Sequence, residues 1–114
     1  MPRTASLALA DIVEAIDGIA IALQGRSFEE FQADWLLRHG VQRGIEIISE
    51  ASRHVPEDLK ARRPEIPWTE VAGIGSILRH AYHRVSDQVI WNTATHALAP
   101  LRAAVVALLA DLQA

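Results

Sequence analysis

Apolar residues recur along this chain in steps of three and four and nowhere alternate for long, so the pattern is helical throughout. Leu9, Ile12, Ile16, Ile19 and Leu23 form one such stripe, which predicts an amphipathic helix over about 5–24 with Gly25 ending it. Ser27 followed by Glu30 is a capping box, in which the hydroxyl and the carboxylate satisfy free amides at a helix start, so a second helix is expected from Phe28. It is expected to run on, bent or broken near Gly40, into a third with Val41, Ile45, Ile48 and Val55 on its core face. Pro56, Pro64 and Pro67, with charges between them, read as a loop over 56–67 that does not propagate helix. Pro67 suits a first helical turn, where its missing amide would be unpaired anyway, so a fourth helix is expected from Trp68 to about Tyr82. Ser86 and Asp87 start a fifth, with Ile90, Ala94, Leu98, Leu101, Val105, Leu108 and Leu112 as its stripe. Pro100 lies inside that stripe and frees the carbonyl of His96, which predicts a bend. The reading is an all-α bundle of four or five helices in one domain spanning 1–114.

Composition narrows the class. The chain has 114 residues, of which half are apolar, enough for one domain with a real core. With no cysteine, disulfides and thiolate zinc sites are excluded, and Asp11 and Glu14 interrupt the N-terminal apolar residues before any export segment forms. Both features point to the cytoplasm. The longest uninterrupted apolar run, 103–110, is far short of the roughly 20 residues that cross a bilayer, so no membrane role is expected. A net charge of −3 supplies no global attraction to nucleic acid, and any phosphate binding must be local. Cations do cluster locally: Lys60, Arg62 and Arg63 in the loop, then Arg79 and Arg84 beside His80 and His83.

Five segments carry a family pattern: "SFEEFQAD" (27–34), "RGIEIISEA" (43–51), "PEIPWTEVAGI" (64–74), "HAY" (80–82) and "VIW" (89–91). In this order and spacing the chain resembles the HepT-like members of the HEPN superfamily. That resemblance implies a helical homodimer, encoded beside a minimal nucleotidyltransferase antitoxin, that acts as a toxin by cleaving RNA without a metal or other cofactor. The family signature is an arginine, four residues, a histidine, one residue and a tyrosine. His80 and Tyr82 occupy two of its positions, whereas Gly75 stands at the arginine and Ser76 at the asparagine that usually follows it. The resemblance also implies that Tyr82 is where the nucleotidyltransferase attaches AMP, adding negative charge and bulk beside the phosphate pocket.

Metal-independent RNA cleavage needs a base for the 2′-hydroxyl, an acid for the leaving oxygen and positive charge on the phosphorane. His80 exchanges protons near neutral pH and is the candidate acid/base. Glycine cannot replace the rigid donor fork of an arginine. Arg79, four residues after Gly75 and so on nearly the same helix face, is the candidate substitute, with Arg84 and His83 as further phosphate-binding candidates.

Other readings compete. His80 alone would be a partly buried histidine bonding a neighbour, and Tyr82 an amphipathic core residue. His80, His83 and Asp87 have the spacing of a metal face but lack a fourth ligand, so no metal is expected. Glu46, Glu50 and His54, with Arg43 nearby, are expected to form ion pairs along one helix. Trp35, Trp68 and Trp91 read as core or interface anchors with no sign of a base-stacking platform. Gly73 and Gly75, two glycines in one turn, suggest close approach of a helix or a second subunit. Two functions follow: a ribonuclease using His80 and Arg79, or a degenerate module that dimerises and docks the nucleotidyltransferase without cutting RNA.

Overall fold

The computed structural model describes residues 4–80 and 86–113, His80 by its backbone alone. Helix α1 (Ala5–Leu23) is capped by Thr4, whose hydroxyl accepts from the Leu7 amide, and buries the expected stripe together with Ala8. Gly25, at φ +74°, turns the chain out of it, a conformation glycine adopts without steric strain. The capping box then forms as read: the Ser27 amide donates to the Glu30 carboxylate at 2.9 Å, and Oγ of Ser27 accepts from the Glu30 amide at 3.1 Å. The hydrogen bond donated by the Ser27 amide is the main reason the Glu30 carboxyl sits below its ordinary pKa.

Helix α2 (Phe28–Ala33) is shorter than expected. The break falls at Asp34 and not at Gly40, because the Asp34 side chain accepts the Leu37 amide and caps a new helix, α3 (Trp35–Ser52), that runs through Gly40 without interruption. Val55 is buried as read, but it lies beyond the end of α3. The proline-rich stretch also departs from expectation: Pro56 precedes a short helix α4 (Glu57–Ala61), with Glu57 and Asp58 in its first turn and Lys60 in its last. A proline just before a helix removes no helical bond, and this charge order suits the helix dipole, so three prolines in the segment do not forbid one turn. The indole Nε1 of Trp68 donates to the carbonyls of Lys60 and Arg63, which fixes this corner to the start of α5 (Trp68–His80).

Ser86 caps α6 (Asp87–Asn92). A π-helical turn, Thr93–Ala97, joins it to α7 (Leu98–Gln113). The irregularity expected at Pro100 therefore appears one turn earlier, around the carbonyl of His96 that the proline cannot bond. Leu112, placed on the core stripe by its spacing, is exposed because the bundle ends before it.

Four longer helices, α1, α3, α5 and α7, make the bundle, and the short ones serve as corners. Helix α1 packs against both α3 and α7, and α3 packs against α5. Phe28, Phe31 and Trp91 close one end, with Phe31 and Trp91 ring centroids 5.5 Å apart. Among the described residues there is no strand. The run Asp87–Gln113, 27 residues that include an 18-residue stretch of mean hydropathy 1.4, is long and apolar enough to cross a membrane by length and composition. The helix is longer than the uninterrupted apolar run 103–110 because it continues through the polar residues that flank that run. Here the run is a bundle element, with Ile90, Leu98, Leu101, Ala104, Val105 and Leu108 in the core.

Candidate functional site

The region around the signature histidine is built on the seam between α3 and α5. Ser49 is fully enclosed there: its hydroxyl donates to the Ala72 carbonyl at 2.7 Å and accepts from the Gly75 amide at 3.1 Å. Arg53 donates to the same Ala72 carbonyl at 2.9 Å. Ser49 of α3 and Arg53 just past its end thus clip the backbone of α5, an approach that only a residue without a side chain allows at position 75. A Cβ on Gly75 would lie 2.6 Å from Oγ and 2.8 Å from Cβ of Ser49, and the second of these is a rigid atom that cannot swing away. The position that the signature gives to an arginine is closed to any side chain. The close approach inferred from the paired glycines therefore holds for Gly75, with α3 as the neighbour. It does not hold for Gly73, where a Cβ would meet nothing within 4 Å.

Arg79 lies one turn further along α5, exposed, and lines a depression of about 190 Å³ with Asp11, Arg43, Glu46, Ile47, Glu50 and Ala51. Its surroundings are ionic. Arg43 is 3.5 Å from Glu46, Gln42 donates to Glu46 at 3.4 Å, and His54 is 3.5 Å from Glu50, so the side chains read as partners along this face do meet, with Arg43 and Glu46 as the ion pair. An incoming phosphate would add to two guanidinium groups but would also meet three carboxylates. Such a pocket attracts an anion less than a purely cationic one and selects more strongly for correct placement.

His80 ends the described part of α5, so its backbone stands directly after Arg79. Its side chain, together with Tyr82, His83 and Arg84, lies outside the described residues, as does most of the His80, His83 and Asp87 metal face. Among the described residues no group of three or more such side chains is placed to hold a metal ion. Lys60, Arg62 and Arg63 each stand within 4.0 Å of a carboxylate: Glu57, Asp111 and Glu65 respectively. Of the tryptophans, Trp68 is buried and Trp91 half-buried, but Trp35 is 61% exposed and no part of the core. Ser49 was not singled out from the sequence; its signal is a small polar residue on the edge of the Ile45 and Ile48 face, facing the glycines of α5.

The fold is that of a HEPN-type helical bundle, with the candidate segment at the end of α5. The family model described as Ribonuclease HepT-like matches residues 12–108, and the chain belongs to the HepT-like ribonuclease family. A Thermococcus cleftensis protein named "Probable ribonuclease HepT" is 42% identical over 93 residues, covering 82% of this chain and 84% of that protein. A provisionally named RNase of Caldanaerobacter subterraneus subsp. tengcongensis is 33% identical over 85 residues, covering 75% of this chain and 76% of its own. Another, from Methanocaldococcus jannaschii, is 32% identical over 94 residues, with 82% and 78% covered. No solved structure matches the chain.

Proposed function

We propose that this chain is a cytoplasmic HepT-type ribonuclease, the toxin of a toxin–antitoxin pair, working as a homodimer whose two copies bring residues 75–84 together. His80 accepts the proton of the RNA 2′-hydroxyl, and the 2′-oxygen attacks the adjacent phosphorus. The bond to the 5′-oxygen breaks, and a proton returns to that oxygen from the imidazolium of the second copy. Arg79 stabilises the negative charge that gathers on the phosphorane, assisted by His83 and Arg84. A minimal nucleotidyltransferase partner silences the site by transferring AMP to the Tyr82 hydroxyl, with pyrophosphate leaving from ATP. The observation that carries the reading is the family match across 12–108, together with Arg79 on the flank of α5 that Gly75 leaves without a side chain.

A second reading is favoured by one specific observation. Ser49 fills the space that a signature arginine would need, which suits a docking module that has given up cleavage for tighter packing. Incubating purified protein with RNA separates the two. The ribonuclease reading expects cleavage by wild type that falls on the order of a hundred- to a thousandfold in His80→Ala and in Arg79→Ala. Cleavage untouched by either change removes the proposed mechanism, and none from wild type selects the docking module. With a nucleotidyltransferase and ATP, wild type should gain the mass of AMP and Tyr82→Phe should not.

A further inference from the structure

Trp35, His39, Gln42, Glu46, Ser49 and Arg53 follow one another along α3 in steps of four and three, so they share one flank. The C-terminal half of that flank is where α5 lies, as the Ser49 bonds to Ala72 and Gly75 and the Arg53 bond to Ala72 show. The two helices run antiparallel, because Arg53 meets Ala72 whereas Arg43 and Glu46 share a depression with Arg79. By this pairing the end of α5 is level with residues near 43, and Trp35 stands on the same flank about 12 Å further on.

At that end the flank carries an aromatic stack. The Trp35 indole and the His39 imidazole lie nearly parallel, at 29°, with centroids 4.2 Å apart. A 2.8 Å bond between Nδ1 of His39 and the Trp35 carbonyl holds the imidazole ring against its neighbour. The indole remains 61% exposed, an uncommon state for so large an apolar side chain. Arg43, also largely exposed, follows His39 by four residues and leads to the depression of Arg79.

From this juxtaposition we infer that Trp35, supported by His39, is a base-stacking platform for single-stranded RNA whose backbone runs over Arg43 to the Arg79 and His80 end of α5. A flat aromatic surface in line with spaced guanidinium groups is the arrangement that binds single strands without reading sequence. The span is right: about 12 Å corresponds to about three or four stacked nucleotides at roughly 3.4 Å each. The platform holds the strand upstream or downstream of the cut and touches no reacting atom. It rests on the ribonuclease reading but makes a separate claim.

The test uses a fluorescein-labelled single-stranded 2′-O-methyl oligoribonucleotide, which lacks the attacking hydroxyl, so that binding by anisotropy is measured apart from cleavage of ordinary RNA. Trp35→Ala should weaken binding on the order of tenfold or more, and Trp35→Phe should keep most of it. His39→Ala should fall between them. Helical circular dichroism should be unchanged in all three, since the side chains are exposed. If wild type cuts RNA and Trp35→Ala binds the oligonucleotide as tightly as wild type, the platform is overturned and the ribonuclease reading stands. A wild type that neither binds nor cuts overturns both. If Trp35→Ala elutes as a smaller species in gel filtration, Trp35 is a protein contact, and the platform is again overturned.

Discussion

Two of the seams of this bundle are made in opposite ways. Between α1 and α7, apolar stripes meet: Leu9, Ile12 and Ile16 belong to one, Leu101, Val105 and Leu108 to the other, and all are buried. At its edge Arg102 grips Asp17 through two bonds, of 2.7 and 3.2 Å. Between α3 and α5 a buried hydroxyl instead lies against the helix backbone at a glycine, tied by bonds to Ala72 and Gly75. The first seam is stabilised in proportion to buried area and tolerates a change of apolar residue if volume is kept. The second depends on the absence of a side chain at one position. It is also the seam that carries Arg79 and leads to His80, so the candidate site is built on the less forgiving contact.

The largest effect is expected from emptying the apolar seam. Leu108→Ala should lower the unfolding free energy by about 2–5 kcal/mol, read by urea denaturation; a loss below 1 kcal/mol on that scale would mean the seam collapses around the gap. The two glycines of α5 sharpen the contrast further. Alanine is worth up to about 1 kcal/mol more than glycine within a helix, so Gly73→Ala, which meets open space, should stabilise by roughly that amount. Gly75→Ala should destabilise by about 1–2 kcal/mol despite the same propensity gain, because its methyl group collides with Ser49. Adding Ser49→Gly should recover part of that loss, whereas adding Ser49→Ala should not, since the Cβ of residue 49 remains. Equal responses of the two glycines in thermal melts would break the account of the seam.

A smaller change is expected from Ser49→Ala alone. It removes one buried hydroxyl and two bonds while Arg53 still serves the Ala72 carbonyl, a loss of about 1 kcal/mol by the same denaturation assay. The smallest concerns the edge of the other seam. The Arg102 bond holds the Asp17 carboxyl below its ordinary range. The folded protein therefore binds fewer protons there than the unfolded chain. Its stabilising contribution is complete above the ordinary carboxylate pKa and disappears as pH falls through the lowered folded-state value. Asp17→Asn should accordingly reduce the melting temperature slightly at neutral pH and not at all in strong acid, and high salt should blunt the difference because the pair is exposed.

Much of this fold is legible in the sequence. The stripe of α1, the capping box at Ser27 and Glu30, the start of α5 after Pro67 and the cap at Ser86 are local features, each decided by a few neighbouring residues. The misplaced break near Gly40 shows the limit. A glycine inside a helix is a modest loss, and the Asp34 cap, equally local but less conspicuous, decided the boundary. Leu112 fails for another reason: periodicity says which face a residue takes but not where the neighbouring helices end.

The sequence by itself determined the long helices, most of their buried faces and the family, because hydrophobic periodicity, capping and motif order are written along the chain. Only the tertiary structure decided that position 75 has no room for a side chain, that Arg79 stands among carboxylates, and that Trp35 is exposed on the flank leading to His80. These are contacts between residues tens of positions apart. Their distances follow from how two helices settle against each other, which no local pattern specifies.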